Sequence, residues 1–292
     1  MTQILCDVSL VMLAHNGVDQ TRHCLKSLVA AQSLPRELIL IDQASSDATP
    51  DLLPDLLRPL QDAGVMVKTW RHEENLGCSE SRNRAWREAT STYTAFCDND
   101  IVVCTSDWLN KLVAVLEYNS QIGIVGPKLI YPYCPHPIQC AGVDLNRKGR
   151  ITFRGRGAPR LDTRYTNAEE MVLLISACWL MRSHFLEEIG GLDPLFHPVQ
   201  YEDLDYCMRV REAGYSCWYT PDVEMYHFEG TTTASGGDEQ YQKVIARNSL
   251  KFRHKWRDAI RIMPDKAAAD WLAVTDMGMT PELCLDLIPP TE

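Results

Sequence analysis

Apolar runs and polar breaks alternate along the first 125 residues with a regular beat. Residues 8–14 are almost continuously apolar, which suits a strand buried on both faces of a parallel sheet. The run stops at His15-Asn16-Gly17, a turn signal. Residues 19–31 then carry helical spacing, with Leu25, Leu28 and Val29 on one side. Residues 38–41 predict a second buried strand ending at Asp42, and a polar, turn-rich stretch follows to 51. Residues 52–60 read as a short helical pattern interrupted by prolines. A third strand is predicted over 65–70, a helix over about 79–89, and a fourth strand over 93–97 that ends in Asp98-Asn99-Asp100. A helix over 108–117 and a short strand over 122–125 complete the series. Strands and helices in strict alternation predict a parallel sheet covered by helices.

The beat is lost after Gly126. Residues 131–170 hold prolines, glycines and arginines without a period, and predict loops or short hairpins. Residues 171–181 are apolar again, and 183–189 suggest a short helix closed by Gly190-Gly191. Helices are predicted over 204–213 and about 238–256, with strand-like runs at 215–219 and 223–226. The tail from Pro264 is short and mixed.

A chain of 292 residues accommodates one large α/β domain, or one domain with a small appendage. Its net charge of -10 argues against a protein that coats nucleic acid, which needs a broad basic surface. The 11 cysteines are scattered and form no Cys-x-x-Cys pair, so reduced, mostly buried thiols are expected. Cys134 and Cys140 are the only close spacing in a loop-like segment, and they lack a ligand pattern around them. Residues 1–7 show no signal peptide, and no apolar stretch approaches the ~18 residues of a membrane span. A cytoplasmic protein is expected, with any membrane contact peripheral and at the inner face.

The acids fall at informative places. In open parallel sheets, ligands bind beyond the carboxyl ends of the strands. Asp42, the Asp98/Asp100 pair and the His15-Asn16-Gly17 turn all occupy predicted strand exits, so they would line one crevice. Asp98 and Asp100, one residue apart, can reach one divalent ion, and hard ions such as Mg²⁺ or Mn²⁺ want oxygen ligands. His227, at the end of a strand-like run, could add an imidazole to the same ion. Asp42 can accept hydrogen bonds from a ribose or base edge, or simply cap a turn. Arg82, one turn into a helix that opens after Gly77, can present a planar fork to phosphate. Asp203 stands near a helix start, where the dipole favours an ionised carboxylate able to act as general base or to serve as a plain N-cap. On the same reading, its neighbours Glu202 and Asp205 are structural.

The ordered set of these segments resembles the family 2 glycosyltransferases of GT-A fold. The matching pieces are Val8-Ser9-Leu10-Val11 to Asn16, Ile41-Asp42-Gln43-Ala44-Ser45-Ser46-Asp47, Asn75-Leu76-Gly77 to Arg82-Asn83, Phe96-Cys97-Asp98-Asn99-Asp100 and Gly126-Pro127-Lys128-Leu129. Gly190-Gly191-Leu192-Asp193, Tyr201-Glu202-Asp203-Leu204-Asp205 with Arg209, Glu212-Ala213-Gly214-Tyr215 and His227 follow in order. The resemblance implies an α/β GT-A domain over 1–257, with a mostly parallel sheet flanked by helices. About 1–125 would form the nucleotide-sugar half, about 126–257 the acceptor half, and 258–292 a small helical C-terminal extension. It also implies roles. His15, Asn16 and Asn75 would lie by the nucleotide, Asp42 would contact uracil or ribose, and Arg82 and Asp98 would approach the nucleotide or the metal shell. Asp100 would bind Mn²⁺ or Mg²⁺, with His227 at the metal or phosphate. Asp203 would be the base of an inverting transfer from a nucleotide-diphosphate sugar, a UDP-sugar first, to an acceptor that the motifs do not identify. Trp179, in Ser176-Ala177-Cys178-Trp179, is either an acceptor platform or core, and Glu202 is the second candidate for an acceptor site.

A basic, amphipathic stretch over 243–261 fits either a packed helix with a solvated basic face or a peripheral contact with an anionic membrane. Two other functions use similar parts. A metal-dependent nucleotidyltransferase would want a Gly/Lys/Arg-rich phosphate loop near the first strand, and a non-catalytic nucleotide- or glycan-binding module would tolerate loss of the metal or base acids. A Rossmann dehydrogenase is disfavoured, since no Gly-x-Gly-x-x-Gly follows a strand.

Overall fold

A computed structural model describes residues 3–229, 238–263 and 283–288. The apolar runs become strands of one sheet. β1 (Ile4–Ala14), β2 (Ser33–Asp42), β3 (Met66–Arg71) and β4 (Tyr93–Asp98) are parallel, joined through α1 (Val18–Ala30), α2 (Thr49–Asp62) and α3 (Cys78–Trp86). Residues 10–12 of β1 and 38–41 of β2 are fully buried, as expected for strands covered on both faces. α2 runs unbroken through Pro54 and Pro59 because both lie on its exposed side, while Leu53, Leu57 and Leu60 hold the inner one.

After β5 (Ile101–Val103) and α4 (Trp108–Tyr118), β6 (Ile122–Ile130) is buried along its whole length. Residues 131–170 form short pieces, as their composition suggested: β7 (Ile138–Cys140) on β6, a hairpin of β8 (Val143–Leu145) and β9 (Ile151–Phe153), and β10 (Glu169–Met171). β11 (Cys178–Arg182) then enters antiparallel between β4 and β6. After α5 (His184–Glu188) and α6 (Glu202–Glu212), β12 (Ser216–His227) runs parallel to β6 as one strand with irregular register, where two strands had been expected. The sheet order is β10-β12-β6-β11-β4-β1-β2-β3. Insertion of β11 beside β4 is the step no local pattern reveals, and it brings Ser176 and Ala177 to the exit of β4, where the Asp98 amide donates to the Ala177 carbonyl at 2.8 Å.

α7 (Asp238–Lys255) and α8 (Arg257–Arg261) close the main body. Phe252, Trp256 and Ile260 are buried, and Asn248, fully buried, donates to the carbonyls of Phe196, Val199 and Gln200. Arg247 and Lys251 donate to the carbonyls of His197 and Leu195, and Lys255 pairs with Asp193 and Asp205. Of the two readings of 243–261, these contacts support the packed helix: Phe252, Trp256 and Ile260 are in the core and Arg247, Lys251 and Lys255 are engaged by the 193–205 segment, while Lys243, Arg257 and Arg261 stay exposed. No described helix is long and apolar enough to cross a membrane. Of the extension, 264–282 and 289–292 lie outside the described residues. Residues 283–288 are not helical: Leu283 bridges Tyr133, and Leu285, Leu287 and Ile288 pack on Val102, Ile130, Tyr226 and Phe228.

Candidate active site

The exits of β1, β2 and β4 do meet. Asn16 (φ 60°) uses its side-chain oxygen to accept from the Ser46 and Asp47 amides at 2.8 and 3.3 Å, and its own amide donates to Ser45 Oγ at 2.8 Å. His15 Nδ1 bonds the Gln43 carbonyl at 2.7 Å. Asp42, 2% exposed, accepts from the Ser45 amide at 3.1 Å and faces Arg71 Nε at 3.4 Å. Asn99, the middle residue of the acidic triplet, donates to Thr21 Oγ1 at 2.7 Å and to the Asn16 carbonyl at 3.3 Å. The β1, β2 and β4 loops are thus tied into one wall. Gly77 lies at its rim in a left-handed conformation (φ 79°), and a Cβ there would meet the Pro198 carbonyl at 2.7 Å, so only glycine lets the two segments pass this closely. Asn75 is exposed, and its side-chain oxygen is spent on the Gly77 amide at 2.9 Å.

Asp98, Asp100 and His227 converge: one ligand atom from each lies within 4.8 Å of the others. β12 pairs His227 with Ile101, just past the triplet, which is how residues 127 positions apart come together (227 − 100). His227 Nε2 lies 3.6 Å from Asp100 Oδ1, and Nδ1 bonds Gln139 Oε1 at 2.6 Å. Gln139 also donates to the His227 carbonyl at 3.1 Å. With Nδ1–H held by that amide oxygen, Nε2 keeps its lone pair for a metal, the tautomer such ligands need. Two carboxylates and one neutral imidazole fit a divalent ion. The Asp98 carboxyl is raised, first by loss of water, with Arg82 opposing and Asp100 adding to it, and 39% of its side chain stays exposed, which limits the rise. A cation in this place is what would relieve that penalty.

Arg82 is almost fully buried, and its guanidinium is taken up by Asp98 at 2.6 Å and by the carbonyl and hydroxyl of Ser176. The structure turns the expected fork inward, onto Asp98 and Ser176, and not toward an open face.

Asp203 lies in the first turn of α6. Its carboxylate accepts from the Ser176 amide at 3.2 Å and the Leu204 amide at 2.8 Å. Gln200 and Tyr201, directly before the helix, both have left-handed backbones (φ 79° and 77°), a costly geometry for non-glycine residues that is concentrated at functional sites. Asn248 bonds the Gln200 carbonyl and Tyr201 packs on Phe252, which hold the bend. Burial raises the Asp203 carboxyl, opposed by the amides and by Arg82. Ser176 connects the two halves, since it meets Asp203 through its amide and Arg82 through its hydroxyl.

Two further expectations are corrected. Trp179 is not an acceptor platform: it is fully buried between Phe96 and Tyr206, because β11 is an interior strand. Glu202 is not at a surface open to an acceptor: it is 4% exposed, and burial with the neighbouring Asp203 charge pushes its carboxyl up to about 8. Sequence reasoning missed Gln139, Ser176 and Asn99. Asn99 lay inside a recognised motif. Gln139 carried no signal, because its role comes from the β6–β7 pairing.

Comparison with known proteins gives the family and the fold. Residues 9–190 match the family described as glycosyl transferase family 2. The O-antigen biosynthesis protein RfbC of Myxococcus xanthus is 27% identical over 233 residues, covering 77% of this chain and 17% of that protein. The chain spans between about a sixth and about half the length of the first curated relatives it matches. Among solved structures, GalNAc-T7 with UDP, GalNAc and Mn²⁺ superposes with a TM-score of 0.61 at 19% identity, over 75% of this chain and 42% of that one. The mannosyltransferase PcManGT of Pyrobaculum calidifontis with GDP-Man and Mn²⁺ gives 0.59 at 16% identity, over 89% and 66%. The fold is thus of GT-A type.

Proposed function

Because the chain belongs to glycosyl transferase family 2, we propose that it transfers a sugar from a nucleotide-diphosphate sugar to an acceptor hydroxyl with inversion at the anomeric carbon. The observation that carries this reading is the linked pair of sites. Asp98, Asp100 and His227 converge, and Asp203 is joined to them through Ser176 and Arg82.

Asp98, Asp100 and His227 are the residues that would hold a divalent ion, Mn²⁺ or Mg²⁺, which when bound offsets the charge on the departing diphosphate. Asp42, His15 and Asn16 form the wall for the base and ribose. Asp203 takes the proton of the acceptor hydroxyl as its oxygen bonds to the anomeric carbon. The bond from that carbon to the diphosphate breaks, and the nucleoside diphosphate leaves. Its raised pKa makes Asp203 a stronger base than an exposed carboxylate. A uridine donor, as in the GalNAc-T7 complex, is the first choice, and a guanosine donor, as in the mannosyltransferase, the second.

The test is thermal stabilisation by UDP-, dTDP- and GDP-sugars with and without Mn²⁺, on the wild type and on Asp100→Ala. One nucleotide class should raise the Tm only with Mn²⁺ and lose most of that effect in Asp100→Ala. No shift with any nucleotide, in folded protein, overturns the donor site. Pyrophosphate release from a nucleoside triphosphate would instead identify a nucleotidyltransferase.

A further inference from the structure

A second cluster of ligating side chains lies away from the crevice. The cis-linked turn after β6 presents Cys134 and His136, and the segment 283–288 brings Cys284 and Asp286 against them. One ligand atom each from Cys134, His136 and Cys284 lies within 4.8 Å of the others. His136 Nε2 is 3.8 Å from Cys134 Sγ and 2.9 Å from Asp286 Oδ1. Tetrahedral zinc with sulfur and nitrogen ligands at ordinary bond lengths sets its ligand atoms about 3.6–3.8 Å apart, so small side-chain adjustments would close the site. The ring is oriented for it. His136 is 6% exposed, its Nδ1 donates to the Tyr131 carbonyl at 3.1 Å, and the ring packs on Tyr226 at 5.1 Å. That carbonyl takes Nδ1–H, the outer-shell partner that metal-binding histidines have, while Nε2 bonds the Asp286 carboxylate through a proton that an ion held between the two would replace. The backbone is already aligned: the Cys284 amide donates to the Pro132 carbonyl at 2.9 Å, and Leu283 bridges Tyr133.

We propose that Cys134, His136 and Cys284, with Asp286 as the fourth ligand, bind one zinc ion that clips residues 283–288 to the turn at 131–136. Two thiolates and an imidazole select a soft or borderline ion, in contrast to the carboxylate-rich set in the crevice. The clip has a structural purpose. Asp286 Oδ1 also accepts from the Tyr226 hydroxyl at 3.2 Å, and that hydroxyl accepts from the Leu287 amide at 3.2 Å. Tyr226 directly precedes His227. The ion therefore fastens the segment that covers the outer side of the β12 end. The loop Cys134 pairs with Cys284 across the fold, and not with its sequence neighbour Cys140, which is buried and bonded to the Gly142 carbonyl.

The test uses the full chain purified without chelator and does not depend on the transferase reading. Bound metal is measured by mass spectrometry, and Co²⁺ replacement is followed by its thiolate charge-transfer absorption. About one zinc per chain is expected, with a thiolate–cobalt band that survives Asp100→Ala and disappears in Cys284→Ala. Cys284→His, which restores a ligand, should regain zinc in a folded protein even where Cys284→Ala is unstable. Alkylation should reach Cys134 and Cys284 only after zinc removal. A Cys134–Cys284 disulfide, two freely alkylated thiols with no zinc, or zinc content unchanged by Cys284→Ala each overturns the proposal.

Discussion

Asp98-Asn99-Asp100 and Glu202-Asp203-Leu204-Asp205 look alike as sequence, and the fold treats them differently. In the first, Asp98 and Asp100 point to a shared space, with a histidine from a distant strand beside them. In the second, each acid has its own partners. Asp205 is fully buried among Arg209, Lys255 and the Trp256 indole, at 3.1, 2.7 and 2.8 Å, and fastens α6 to the C-terminal helices. Glu202 is buried, and one of its oxygens finds no hydrogen-bond donor among the described residues. Asp203 alone reaches the crevice, its carboxylate aimed by two backbone amides. The lesson is that convergence of acids makes a cation site, whereas dispersion of acids along one helix turn lets each take a separate role. Spacing along the chain does not distinguish the two; the partners do.

The sharpest way to break the comparison is Asp203→Asn. The amide keeps the shape but cannot take a proton, so transfer should fall by about 10²–10⁴-fold, while metal-dependent stabilisation by the donor nucleotide persists. Product formation under single-turnover conditions, run beside the thermal assay, reads both. Transfer at near wild-type rate would remove Asp203 as base and leave the two acid clusters without the division of labour drawn here.

Next in size is the support behind the first cluster. Gln139→Leu removes the acceptor for His227 Nδ1–H at similar volume in a fully buried position. Loss of such an outer-shell partner weakens metal affinity by about 10–100-fold. Titration of the nucleotide-dependent Tm shift with Mn²⁺ should show the midpoint moving to higher concentration. An unchanged midpoint would mean that His227 does not ligate the ion.

Legibility followed the range of the interactions. The parallel half of the sheet was readable because each buried strand is a local apolar run and each exit a local polar break, as at 8–14 followed by His15-Asn16-Gly17. Asp98 and Asp100 were readable for the same reason. The pairing of β11 between β4 and β6 was not, because Cys178 to Arg182 has no feature that selects its neighbours. The burial of Trp179, the inward turn of Arg82 and the contacts of Ser176 all follow from that one gap. Asn75 was found as part of a motif, and the structure adds that its oxygen closes the Gly77 turn. The tail was opaque for a different reason. Residues 283–288 gain meaning only through Tyr133, His136 and Tyr226, far away in the chain.

The smallest expected effect on the reaction belongs to Glu202, and its pH dependence separates it from Asp203. Burial pushes the Glu202 carboxyl up to about 8, from an ordinary value of 4.5. Between those values the folded protein holds a proton that the unfolded chain has released, so stability falls as pH rises through the window. Glu202→Gln mimics the protonated form and removes that dependence. The unfolding free energy of the variant relative to wild type should therefore climb from pH 5 to pH 8 and level off above, by an amount on the order of 1–3 kcal/mol in denaturant titrations. Burial, backbone amides and Arg82 set the Asp203 carboxyl, so the acid limb of kcat/KM should stay where it is in Glu202→Gln. Asp203 sets that limb, above the ordinary carboxylate range, since burial raises it too. A limb displaced by Glu202→Gln would show that the two neighbours share one proton, and the second cluster would then be convergent after all.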